Sequence, residues 1–91
     1  MKLTLDNLTS FHTVASEGSF SCAARKLGKS QSTISGAIKN LEQDLGYLLL
    51  DRDGHTVTLT DKGKKIYALA TPIISKHKEL NNIANDLSNS N

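Results

Sequence analysis

The sequence predicts a mainly α fold: three short helices, a two-stranded β-hairpin and a long final helix. Three observations carry this. Apolar residues recur at helical spacing in three successive stretches, each closed by a glycine. The stretch after Gly46 then changes to a period of two around an Asp53-Gly54 pair. From Thr60 onward a longer helical pattern runs almost to the end. With 91 residues, 37% of them hydrophobic, the chain suffices for one small domain with little core to spare.

In the first helix Leu5, Leu8, Phe11, Val14 and Ala15 form the inner stripe. Thr4 or Asp6 is positioned to cap it, and Gly18 ends it. Ser19 opens a second helix, with Phe20, Ala23, Ala24 and Leu27 on one face, and Gly28 stands where a left-handed residue is needed. Ser30 caps a third helix. At 100° per residue its apolar Ile34, Ile38, Leu41 and Leu45 fall within about 60° of one another. The opposite face carries Ser32, Gly36, Lys39 and Gln43, with Ser35 on its flank. Asp53-Gly54 reads as a two-residue turn that pairs Leu50 with Val57 and Leu48 with Leu59, all four on one face. Thr60 and Asp61 suit the start of the last helix. Along it Ile66, Ile73, Leu80 and Leu87 are spaced by seven, with Leu69, Ala70, Ile83 and Ala84 between them. Pro72 lies inside and is expected to kink or break the helix, and residues 86–91 read as a frayed end.

Net charge is +2, from 11 basic and 9 acidic residues, which excludes a uniformly basic coat. Its distribution is more informative. From Ser19 to Leu41 the sequence has Arg25, Lys26, Lys29 and Lys39 and no acidic residue. A single cysteine, Cys22, excludes an internal disulfide and multi-cysteine zinc sites, and reads as a core thiol. His12, His55 and His77 lack metal-ligand spacing, and neither metal nor cofactor is expected. No nucleophile motif, carboxylate pair or glycine-rich phosphate loop supports an enzyme. No apolar run approaches the ~18 residues of a membrane span. The N-terminus turns polar too early for a signal peptide, so a cytoplasmic chain is expected.

Three helices with a short turn before the third, then a hairpin, is the order of a winged helix-turn-helix. Its chemistry is recognition: the major groove of duplex DNA admits one helix, read by short polar side chains near that helix's N-terminus. Here those are Ser30, Gln31, Ser32, Thr33 and Ser35. Gln bonds adenine edges, Ser and Thr bond bases or phosphates, and a helix N-terminus attracts phosphate.

The ordered set Leu8, Phe11, Val14-Ala15, Gly18-Ser19-Phe20, Ala23-Ala24, Leu27, Ser30-Gln31, Ser35, Leu41-Glu42, Leu45-Gly46, Arg52, Val57, Leu59-Thr60 and Gly63 resembles the DNA-binding domain of LysR-type transcriptional regulators. The resemblance covers about residues 3–88. It implies a winged helix-turn-helix in residues 1–60 and a linker helix in residues 61–91 that pairs two copies, so that a homodimer reads two half-sites of T-N11-A type. It places Gln31, Ser32 and Ser35 at the major groove and Ser19 and Lys39 near the backbone, with Arg52 and its hairpin close to the minor groove. The full set of expected DNA contacts adds Lys29, Ser30, Thr33, Gly36 and His55. The expected dimer seam is Ile66, Leu69, Ile73, Leu80, Ile83 and Leu87.

Three positions depart from the family pattern: Ser32 replaces a common Pro, Gly36 a common Arg, and His55 a second wing Arg. They leave the fold expectation intact and bear on the preferred site. An effector-binding domain usually follows the linker helix, and this sequence stops before it. We expect the DNA-reading half of a longer protein, the alternative being a naturally short member, and in neither case a pocket for a small inducer. Arg52 has a competing role as an ion-pair partner of Asp51, Asp53 or Asp61. The competing function is a coiled-coil interaction module whose helix-turn-helix is only scaffold, a reading that the acid-free basic segment opposes.

Overall fold

The computed structural model describes residues 3–53 and 56–89. The elements are α1 (Leu5–Glu17), α2 (Phe20–Leu27), α3 (Gln31–Leu45), β1 (Leu50–Asp53), β2 (Thr56–Leu59) and α4 (Asp61–Asn89). The mainly α winged helix-turn-helix with a long final helix is the fold observed.

Each helix begins on a hydroxyl. Thr4, Ser19 and Ser30 accept from the backbone N–H three residues on, at 3.1, 3.2 and 3.1 Å. Thr60 does the same for Gly63 at 2.9 Å. These bonds satisfy first-turn donors that have no partner within a helix. Between α2 and α3 the chain reverses in three residues. Gly28 takes φ 65°, and the N–H of Lys29 reaches back to the carbonyl of Ala24 at 3.0 Å. A Cβ at Gly28 would strain that left-handed backbone.

The core is built from Phe11 and Val14 of α1, Ala23 and Ala24 of α2, Ile34, Ile38 and Leu41 of α3, and Leu49 and Leu50 at the hairpin root. The small side chains of α2 bring its backbone close to its neighbours. The first half of α4 closes this core from outside, with Ala70 and Ile74 buried and Ile66 and Tyr67 packed against the cluster. A polar clasp ties α4 to α1. The rings of His12 and Tyr67 stack at 4.2 Å, 2° from parallel. His12 Nε2 and the Thr71 hydroxyl are 2.9 Å apart, and the Tyr67 and Ser16 hydroxyls 2.7 Å. Tyr67 also meets Phe11 edge-on. At the start of α4 the backbones touch: a Cβ at Gly63 would overlap the carbonyl of Leu49, which already accepts the N–H of Thr60 at 3.0 Å.

The hairpin register differs from the expected one. Leu50 pairs with Leu59, Arg52 with Val57 and Asp53 with Thr56, leaving residues 54 and 55 as the connection. The expected turn therefore slips by one residue, and its Gly54 lies outside the described residues. A pairing shift of two keeps Leu50, Val57 and Leu59 on one face, but Leu48 is lost from it and stands 64% exposed. Leu49, fully buried, takes the core position instead. The cause lies in α3: Glu42 Oε2 accepts the N–H groups of Leu49 and Leu50 at 2.7 and 3.2 Å, which fixes where the strand starts.

Three further expectations are corrected. Pro72 does not break α4, which is continuous from Asp61 to Asn89. One ladder bond is lost there, the Thr71 hydroxyl bonds the carbonyl of Tyr67 at 2.8 Å, and burial of Ala70 and Ile74 holds both sides of the proline. Of the end expected to fray, residues 86–89 are helical, and residues 90 and 91 lie outside the described residues. Cys22 is half-buried rather than core, because it sits at the α2 surface where the Arg25 guanidinium reaches its sulfur at 3.5 Å.

The two helical glycines have opposite expected effects. A Cβ at Gly36 meets open space, so Gly36→Ala should stabilise the protein by about 1 kcal/mol through helix propensity. Gly63→Ala drives a methyl into backbone and should destabilise it by about 1–3 kcal/mol. Urea unfolding midpoints check both signs. His12 carries a pH dependence. Burial, then the charge of Lys78, lowers its pKa below the ordinary 6.5. The unfolded chain therefore takes up the proton more readily, and the clasp contributes fully above pH 6.5 and is lost as pH falls below it. Thermal unfolding between about pH 7.5 and about pH 5.5 should show a steeper loss for the protein than for His12→Gln.

Candidate nucleic-acid interface

The burial of Ile34, Ile38 and Leu41 turns the other face of α3 outward. Gln31, Ser32, Thr33 and Lys39 are exposed there, and Ser35 and Gly36 half-buried. The hydroxyls at the helix start are partly committed. Ser30 caps α3 and lies 2.7 Å from the Thr33 hydroxyl and 3.2 Å from that of Ser32. Gln31, Ser35 and Lys39 make no side-chain bond among the described residues, so their polar groups stay available. The open space at Gly36 leaves a shallow saddle between Ser32 and Lys39 where backbone can approach a partner closely.

The hairpin stands beside this face. Ser35, Lys39, Leu50, Asp51 and Arg52 line an open concavity between α3 and β1. Glu42 sets the root of the hairpin by accepting from the backbone N–H groups of Leu49 and Leu50. Among the described residues Arg52 makes no ion pair with Asp51 or Asp61. Its guanidinium carbon lies 4.4 Å from the centroid of the Phe20 ring. The ion pairs among the described residues are Lys26–Glu17 and Lys76–Glu79, which leaves Arg25, Lys29 and Lys39 outside them. The basic segment is therefore mostly unneutralised. Ser19 is half-buried with its hydroxyl engaged as a cap, and Lys29 is exposed in the α2–α3 turn. His55 lies outside the described residues.

One group of contacts has no signal in local sequence. Glu42, the Phe20 platform and the His12–Tyr67–Thr71 clasp join residues far apart in the chain, and only the fold reveals them.

On α4, Leu69, Ile73, Leu80, Ile83 and Leu87 are exposed, between 49% and 68%. At 100° per residue they fall in a stripe about 80° wide, beside the one that Tyr67, Ala70 and Ile74 turn to the core. Ile66, half-buried, packs against the core at the margin of this stripe.

The family described as bacterial regulatory helix-turn-helix protein, lysR family, matches residues 5–64. The chain belongs to this LysR family. Among its relatives, the HTH-type transcriptional regulator YtlI of Bacillus subtilis is 40% identical over 85 residues, covering 93% of this chain and 27% of that protein. The regulator AceR of Acinetobacter baumannii is 36% identical over 88 residues, covering 97% of this chain and 30% of that protein. The chain thus spans under a third of each of these LysR-type relatives. A crystal structure of a BenM_DBD/catB site 1 DNA complex superposes with a TM-score of 0.84 at 31% identity, over 98% of this chain and 99% of that one. Oxidized Corynebacterium glutamicum OxyR superposes with a TM-score of 0.87 at 32% identity, over 92% of this chain and 27% of that one. The helix-turn-helix, the wing and the long helix are thus shared with LysR proteins that carry much longer chains.

The role of Glu42 at the hairpin root is open to test. Glu42→Gln keeps an acceptor but removes the charge, and should cost about 1–2 kcal/mol. Glu42→Ala leaves the Leu49 and Leu50 amides without this partner and should cost more. Equal unfolding midpoints for the two variants would count against the contact.

Proposed function

We propose that this chain is the DNA-reading part of a LysR-type transcriptional regulator that binds duplex DNA as a homodimer in the cytoplasm, by recognition rather than catalysis. The observation that carries the reading is the outward face of α3, polar and short-chained, without an acidic residue from Gln31 to Leu41 and flanked by a hairpin. The similarity to the BenM_DBD/catB site 1 DNA complex supports the same reading. Gln31, Ser32 and Ser35 contact base edges in the major groove, and Gly36 lets the helix lie close to them. Ser19, Lys29, Ser30, Thr33 and Lys39 meet the phosphate backbone, and Arg52 and His55 approach from the wing. Residues 1–60 form the reading unit and residues 61–91 the pairing helix. Beyond Ile74 every described residue of α4 is exposed, so Leu80, Ile83 and Leu87 form an apolar stripe on a helix without a core of its own. Leu69 and Ile73 extend it toward the domain, with Ile66 at its margin. A second copy of α4 covers such a stripe by side-to-side helix pairing.

Titration of labelled duplexes, first chosen by selection from a random pool, tests this at several salt concentrations. Affinity should fall steeply with salt and exceed that for random duplex. Binding without salt dependence or sequence preference would refute it. Gln31→Ala should relax base preference by about 1–3 kcal/mol, whereas Lys39→Ala should weaken all sequences alike and lower the salt slope by about one. For the pairing helix, Leu80→Glu should shift the protein from dimer to monomer in light scattering with the domain still folded. A dimer that survives the charge would move the seam elsewhere, and a dimer without DNA affinity would favour the interaction-module reading.

A further inference from the structure

The described cation of the wing is docked. Arg52 shares a strand face with Leu50, the face that turns inward, yet its side chain is exposed. It leaves the strand across the start of α2 and ends with its guanidinium over the Phe20 ring, 4.4 Å from the centroid. Phe20 is the first residue of α2, directly after the Ser19 cap, and its half-buried ring packs against the core. The platform is therefore fixed at one end by a helix cap and on one side by the core.

The choice of an aromatic partner has a chemical consequence. A carboxylate neighbour would occupy the guanidinium donors and would have to be displaced by an approaching phosphate or base edge. A ring face attracts the cation through its quadrupole and takes none of the N–H donors in a conventional hydrogen bond. Docking on Phe20 thus orders a long, flexible side chain while leaving its donors free.

We propose that Phe20 is a positioning residue for Arg52, holding the guanidinium in a single arrangement at the edge of the α3–hairpin concavity so that it is pre-ordered for DNA. This rests on the DNA-binding reading above. Phe20→Leu keeps an apolar side chain and removes the ring face, Phe20→Tyr restores the ring, and Arg52→Ala removes the guest. Binding of the full chain to its selected duplex is measured for each and for the double variant Phe20→Leu/Arg52→Ala. Circular dichroism controls for folding, and the proton shifts of the Arg52 side chain in the free protein report the stacking without DNA. Phe20→Leu should weaken binding by roughly 2- to 30-fold, and Phe20→Tyr should bind like the parent. In the Arg52→Ala background Phe20→Leu should change affinity by less than about twofold. The ring-current shift of Arg52 should vanish in Phe20→Leu and persist in Phe20→Tyr.

An equal loss from Phe20→Leu in both backgrounds would overturn the proposal, as would Arg52 shifts that ignore the ring. If Phe20→Leu does not fold, Phe20→Tyr and the Arg52 shifts still decide, and absence of a ring-current shift in the parent overturns it. If the parent binds its duplex and Arg52→Ala binds equally well, the positioning role fails while the DNA-binding reading stands. If the parent binds no duplex at all, both fall.

Discussion

The complete burial of Ile34, Ile38 and Leu41 on one side of α3 is the constraint from which the exposed surface follows. Each such side chain contributes roughly 1.5–3 kcal/mol when taken out of water. Turning α3 about its axis would forfeit several of these at once and bury Ser32, Gln43 and Lys39 without partners. No surface interaction of the helix competes with that. The direction of Gln31 and Ser35 is thus decided by residues that never touch the surface. Phe11 and Val14 of α1 and the alanines of α2 complete the socket, and the tight turn at Gly28 leaves α2 and α3 little freedom to separate.

The wing depends on the same helix. Glu42 sits two turns beyond Ile34 and Ser35, and its carboxylate grips the backbone at Leu49 and Leu50, so hairpin and reading face are carried on one rigid element. Leu49 is then pressed into the core while its carbonyl holds Thr60 and leaves room only for a glycine at position 63. The start of α4 is set by this contact, and its course by the clasp of Tyr67 and Thr71 on His12 and Ser16. The far end of α4 is of a different kind: past Ile74 every described residue is exposed, and the helix offers its apolar stripe outward.

Much of this was legible in the residues. Helix caps and glycine stops are local signals, and Thr4, Ser19, Ser30 and Thr60 all act where the sequence places them. The stripe of α3 follows from spacing alone. What was not legible depends on distant partners. The Asp53-Gly54 pair argues for one hairpin register, and the carboxylate of Glu42, seven residues before Leu49, imposes another. Pro72 argues for a broken helix, yet burial on both sides of it outweighs one missing backbone bond. Arg52 offered a choice between DNA and an acidic neighbour, and no spacing rule points to a ring 32 positions earlier. The exposure of Gln31, Ser32, Thr33 and Lys39 on the outer face of α3 follows from the spacing of Ile34, Ile38 and Leu41 alone.

The most direct measurement is a crystal structure of this chain on a selected duplex. The result expected is α3 lying in the major groove with Gln31 and Ser35 within hydrogen-bond distance of base edges, the hairpin beside the adjacent backbone, and two copies joined along α4. A complex in which DNA lies elsewhere and the outer face of α3 remains open to solvent would contradict it.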